Sequence, residues 1–191
     1  LMPLRRRALL AAGALWAAQA GANAPQSTAV PAEVAAHLPG ATFKGAGRLR
    51  FLGLLIYDAR LWAAPGTPGQ PAADWSQQPL ALEIQYARAL DGGQIAERSL
   101  LEMRRQGDVA PATAAAWLAE LQRLIPDVKA GDRLTAVFEP GQRLPLRLLA
   151  NGVQRGQIGD AVLAQRFVGI WLAPATSEPA LRAALLGLAA P

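Results

Sequence analysis

Leu144-Pro145-Leu146-Arg147-Leu148-Leu149-Ala150-Asn151-Gly152-Val153-Gln154-Arg155-Gly156-Gln157-Ile158 reads as two strands joined by a two-residue turn. Asn-Gly accepts the two left-handed backbone conformations that a tight type I′ turn demands, and the twist of that turn matches the twist of the strands it joins. Val153 to Ile158 therefore returns antiparallel to Leu144 to Ala150. Just upstream, Arg133 to Glu139 alternates Leu134, Ala136 and Phe138 against Arg133, Thr135 and Val137, the period of a half-buried strand. Pro140-Gly141 marks the break between it and the next strand.

Moving outward, Leu80, Leu82, Ile84 and Tyr86 share one face of a further strand, and Thr42 to Phe51 alternates among glycines. Leu52 to Trp62 is an apolar run whose Ile56, Tyr57 and Trp62 favour strand. Two helices fall in the middle. One follows the turn Asp91-Gly92-Gly93, with Ala96, Leu100, Met103 and Gly107 on one side. The other starts near Pro111, shows Trp117, Leu121 and Leu124, and ends at Pro126. Asp160 to Leu172 is amphipathic, and Ser177-Glu178-Pro179 opens a last short helix with Ser177 as its cap. Strands, two helices, strands and two helices make an α+β domain with an antiparallel sheet and helices on one face.

The 191 residues suit one domain preceded by a processed leader. Arg5-Arg6-Arg7 followed by the apolar stretch Ala8 to Ala20 has the form of a secretory signal peptide over residues 1–20, with Ala18-Gln19-Ala20 one cleavage candidate. Residues 21–40, rich in Ala, Pro, Ser and Gly, are expected as a flexible lead-in to a domain over 41–191. The mature protein is expected to be periplasmic or secreted. No later apolar stretch reaches the roughly 20 residues that a membrane span needs.

Composition excludes several kinds of chemistry. The chain has no cysteine and a single histidine, His37, so thiol catalysis, disulfides and multi-histidine zinc sites are out. No metal or cofactor is expected. Of 19 basic residues three lie in the leader, leaving 16 against 14 acids, a near balance that does not indicate nucleic-acid binding. Gly45-x-Gly47 fails as a dinucleotide loop, because Arg50 stands at the third glycine and a strand follows. What remains is arginine and aromatic chemistry. Arg48 and Arg50 leave a sheet and need solvent, a carboxylate or a bound anion. Arg98 and Glu102 are spaced for an i,i+4 ion pair.

Gly45 to Gly53 followed by Ile56-Tyr57-Asp58-Ala59, then Leu90 to Ser99, and finally Asn151-Gly152 and Pro179 to Gly187, resemble in order the segments of the chalcone isomerase superfamily. The likeness spans roughly residues 40–188 and is nearest to exported bacterial chalcone isomerase-like proteins. It implies an open-faced β-sandwich: a large antiparallel sheet, a helical layer and a ligand cleft between them. It aligns Arg48 with the family's catalytic arginine, with Arg50 competing. Ile95 stands at the tyrosine, Arg98 at the lysine, Glu102 at the asparagine and Leu52 at a threonine. The phenol and the hydroxyl of true isomerases are thus missing.

The resemblance therefore implies a non-catalytic protein binding an apolar, fatty-acid-like or anionic small molecule. Its candidate site residues are Arg48, Arg50, Tyr57, Tyr86, Ile95, Arg98 and Glu102. The alternatives are an isomerase or lyase of unsaturated carbonyl compounds, using Arg48, Arg98 and Glu102, or an envelope scaffold meeting a protein partner through Trp75 or the 64–72 loop.

Overall fold

The structure, a computed structural model, describes residues 28–65 and 74–188. The proposed leader and most of the 64–72 loop lie outside the described residues. Six strands, β1 (Thr42–Phe51), β2 (Leu54–Ala63), β3 (Leu80–Tyr86), β4 (Arg133–Phe138), β5 (Leu146–Ala150) and β6 (Val153–Ile158), form one antiparallel sheet in chain order. The Asn151-Gly152 turn sits where expected, with φ of 50° and 81°. The run beginning at Leu52 is shorter than expected: Leu52 and Gly53, at φ 49° and 80°, make a second two-residue turn of the same hand. An apolar side chain at the first turn position hid that turn from the sequence pattern.

The pleat sorts the strands' residues. Leu49, Tyr57, Leu82, Ile84, Tyr86, Leu134, Ala136 and Leu148 point to one face, and rungs such as Leu82↔Ala136 and Ala136↔Leu148 line them up. Four helices cover that face: α2 (Gly92–Met103), α3 (Pro111–Leu124), α4 (Ala161–Leu172) and α5 (Pro179–Leu186). In α2 and α3 the apolar stripes read from the sequence are buried at Ala96, Leu100, Met103, Trp117, Leu121 and Leu124, but α2 ends at Met103 and Gly107, expected on its stripe, lies beyond it and is exposed.

The helix ends are tied by side chains. Asp91 caps α2 by accepting from the Gln94 N–H at 2.8 Å. Asp160 caps α4 through Oδ1 and accepts from Trp117 Nε1 through Oδ2 at 2.8 Å, joining α3 to α4. Ser177 does not cap α5; Glu178 stands at that position without a side-chain bond. The glycine pair in β1 has a packing role. A Cβ on Gly45 would lie 2.0 Å from the Ala184 carbonyl oxygen, and one on Gly47 would lie 2.6 Å from Leu181 Cδ1. Bare backbone there lets α5 rest directly on β1.

The opposite face is partly covered as well. The lead-in expected to be flexible contains α1 (Ala32–His37), whose Val34 is fully buried with Leu38, Trp62, Ala81, Val137 and Leu149. Its length of six residues, inside a stretch rich in alanine and proline, concealed it; a helix this short is not stable alone, and the apolar outer patch of the sheet supplies the burial that holds it. Among the described residues no helix is long and apolar enough to cross a membrane.

Candidate functional site

Between the sheet and the helices lies a cavity of about 300 Å³. Its floor is the inner face of the sheet: Tyr57, Leu82, Ile84, Tyr86, Leu134, Ala136 and Leu148. Ala136 sits between leucines on both neighbouring strands, and its short side chain leaves space there. Ile95, Ser99 and Glu102 of α2 form one wall, and Phe167, Ile170 and Trp171 of α4 another. A register shift between Leu49↔Tyr57 and Arg50↔Leu55 leaves Ile56 as an extra residue in β2. Through that bulge, Ile56 and Tyr57, although adjacent, both reach the cavity.

Most of the lining is apolar; Ser99 and Glu102 add buried polar groups on the α2 wall and the two tyrosines add hydroxyls on the floor. Gln94, Arg98 and Glu178 are lining residues exposed to solvent, and they mark the mouth. The Arg98 side chain is 66% exposed, whereas that of Glu102 is 9% exposed. Arg98 Nη2 meets Glu102 Oε1 at 2.6 Å, and Arg105 Nε stands 3.7 Å from Glu102 Oε2. Arg98 therefore both lines the cavity and pairs with Glu102. The i,i+4 spacing allowed the pair without deciding between it and an Arg98 turned to the cavity; the structure has both.

Tyr57 and Tyr86 are opposite each other on β2 and β3, rings edge to face at 6.1 Å. The Tyr57 hydroxyl accepts from Trp171 Nε1 at 2.9 Å, tying the floor to α4. Burial pushes the Tyr57 phenol up, and Glu178 and Glu102 push the same way against the Trp171 bond and Arg98. Burial also raises Tyr86, with Tyr57 adding to it. Both phenols therefore stay neutral at ordinary pH.

Two candidates fall elsewhere. Arg48 lies on the outer face, opposite Asp58 in the register, and its Nε meets Asp58 Oδ1 at 3.1 Å. Arg50 shares that alternation and donates from Nη1 to the Gly53 carbonyl at 3.1 Å, at the tip of the hairpin. The reason is parity: Leu49, between them, is the residue that faces the cavity, and neighbours along a strand point to opposite sides. Five of the seven candidates, Tyr57, Tyr86, Ile95, Arg98 and Glu102, are brought together, and Arg48 and Arg50 are not. The wall from α4 and the residues Gln94, Ser177 and Glu178 were missed as site residues. Phe167, Ile170 and Trp171 are apolar positions of the amphipathic 160–172 stretch, and nothing in a helical stripe separates a filled core from a vacant one.

A sequence profile of chalcone isomerase-like proteins matches residues 26–187. The chain belongs to the chalcone isomerase-like family. The match begins before α1, so the outer helix falls within the family segment. An uncharacterized protein of Haemophilus influenzae is 27% identical over 136 residues, covering 69% of this chain and 61% of that relative. The crystal structure of an Arabidopsis thaliana fatty-acid binding protein superposes with a TM-score of 0.58 at 11% identity, over 84% of this chain and 90% of that one. The expected open sheet with a helical layer is thus the fold of this chalcone isomerase-like chain. Of the residue set that the resemblance drew from true isomerases, Ile95, Arg98 and Glu102 line the cavity, whereas Arg48 is outside it and Leu52, at 86% exposure, is on the hairpin tip.

Proposed function

We propose that this chalcone isomerase-like protein is a non-catalytic binding protein that holds a long-chain, fatty-acid-like molecule in the cavity between sheet and helices, and that it works in the periplasm. The observation that carries the reading is the cavity itself. It is lined mainly by apolar side chains, carries exposed polar residues at its mouth, and at about 300 Å³ it reaches the lower end of the range for ligand sites, which start at roughly 300 Å³. A name that includes fatty-acid binding on a protein of the same fold supports the ligand class. The basic and apolar leader supports export.

In this reading the hydrocarbon lies over Leu82, Ala136 and Leu148, and the carboxylate reaches Arg98 at the mouth. Glu102 already holds Arg98, so the ligand and Glu102 compete for one guanidinium. Titrating a long-chain fatty acid while following the ligand-induced change in tryptophan emission tests this. Arg98→Ala is expected to weaken binding about tenfold, since a hydrogen bond to a charged group contributes roughly 1.5–3 kcal/mol. Glu102→Gln is expected to tighten it. A wild-type chain that takes up no long-chain acid would sink the proposal, as would an Arg98→Ala chain that binds as well as wild type.

A further inference from the structure

The β1–β2 arm extends past the sheet that carries it. The last rung between β2 and β3 is Tyr57↔Tyr86, yet β1 and β2 continue to Arg50↔Leu55 and Phe51↔Leu54. The end of this arm is apolar and bare: Phe51 is 63%, Leu52 86% and Leu54 55% exposed. Single exposed apolar residues are ordinary, but three around one turn are a patch.

Leu52 is costly in a second way. The turns Leu52-Gly53 and Asn151-Gly152 have nearly the same backbone, with first-position φ of 49° and 50°. Asparagine is at home in that left-handed conformation and leucine is not. The same chain thus uses the compatible residue at one turn, and at the other keeps a leucine that is unfavourable for both backbone and solvent. Strain retained in this way points to a function of the side chain.

The surroundings decide what meets the tip. On this arm Arg48 is matched by Asp58 across the strand pair, and beyond that rung Arg50 is followed by no acid up to Tyr57. Arg50 is exposed and closes the turn through Gly53. Arg88, also exposed, follows β3 at the same end of the sheet, where the Ala87 N–H bonds the Ile56 carbonyl. Three side chains cannot bury the roughly 800 Å² per partner of a standard protein interface. They are suited to shallow insertion at the boundary between lipid headgroups and acyl chains, with arginines at the phosphate level.

We propose that the β1–β2 tip is a lipid-surface anchor, seating Phe51, Leu52 and Leu54 in the interface of an anionic bilayer with Arg50 and Arg88 against its phosphates. Leu49 and Ile56, at the base of the same arm, line the cavity, so docking brings the cavity edge to the bilayer. The use of that contact for ligand exchange rests on the binding function proposed above; the anchor does not.

Flotation of the full chain with vesicles of phosphatidylethanolamine and phosphatidylglycerol tests the anchor. Wild type is expected to float with the vesicles. Leu52→Asn is expected to raise the thermal midpoint and yet lower the floated fraction severalfold, an outcome that misfolding cannot imitate. Because the chain has no cysteine, an environment-sensitive fluorophore can be placed singly at Leu54→Cys, or at Leu144→Cys at the other end of the sheet. Vesicles are expected to shift the emission of the first to the blue and leave the second unchanged.

Wild type remaining in the soluble fraction, Leu52→Asn floating like wild type, or a silent Leu54→Cys probe would each overturn the proposal. A dimer in light scattering that Leu52→Asn converts to monomer would overturn it too, by assigning the tip to a second copy. Arg98→Ala is expected to float normally, so a failure of ligand binding and a failure of the anchor are read separately.

Discussion

Tyr57 and Tyr86 are the two tyrosines of the chain, and both line the cavity, so their ionisation reports on the cavity alone. Burial raises both phenols. In an alkaline titration, absorbance near 295 nm is expected to stay flat through the ordinary tyrosine range, about pH 10. It should rise only when the fold gives way. A normal titration in the folded protein would mean that the cavity is open to water at its floor. The period-two pattern placed Tyr86 on one face with Leu80, Leu82 and Ile84, whereas Tyr57 lay in the apolar run from Leu52 to Trp62 and its face was decided by the register and bulge of β2. For Arg48 and Arg50 the sequence left solvent, a carboxylate or an anion as outlets, and the resemblance to an enzyme family assigned them to the cleft; the register puts them on the outer face. Each arginine found a local partner instead, Asp58 across the strand pair and the Gly53 carbonyl across the turn.

At the scale of elements, the helix absent from the sequence reading carries the single histidine. His37 ends α1, and its Nδ1 meets Arg147 Nη1 on β5. Burial and then the Arg147 charge hold His37 below its usual pKa, with Glu139 opposing them. The unfolded chain, where the ring titrates near 6.5, therefore binds more protons than the folded one. This contribution to stability is complete above pH 6.5 and is lost as the pH falls through the depressed folded value. Urea midpoints are expected to drop on going from neutral to mildly acidic pH, and His37→Gln should reduce that drop. An identical drop in the variant would detach His37 from the effect. No periodicity could have announced α1, since six residues of mixed composition do not make a stable helix alone. Its formation depends on Trp62, Ala81 and Val137, which lie far along the chain.

For the whole molecule, a cavity inside a packed domain means that ligand and stability are linked. A ligand that binds only the folded chain adds about 2.7 kcal/mol at a hundredfold excess over its Kd. For a domain of this size each kcal/mol moves the thermal midpoint by roughly 2–4 °C, so a saturating fatty acid is expected to raise it by about 5–10 °C. Ala136→Leu puts a larger side chain in the middle of the cavity floor and should abolish that rise while leaving the apo protein folded. An equal rise in both proteins would place the ligand elsewhere.

The sequence by itself determined the six strands, the helices α2 to α5, the apolar positions of α2 and α3 and the Asn151-Gly152 turn. These depend on neighbours a few residues apart, within reach of periodicity and turn chemistry. Only the tertiary structure decided that α1 closes the outer face and that Gly45 and Gly47 seat α5. It alone decided that a bulge turns Ile56 inward beside Tyr57, and that space remains over Ala136. Those features come from surfaces meeting across the fold, where volumes and register, rather than local preference, set the outcome.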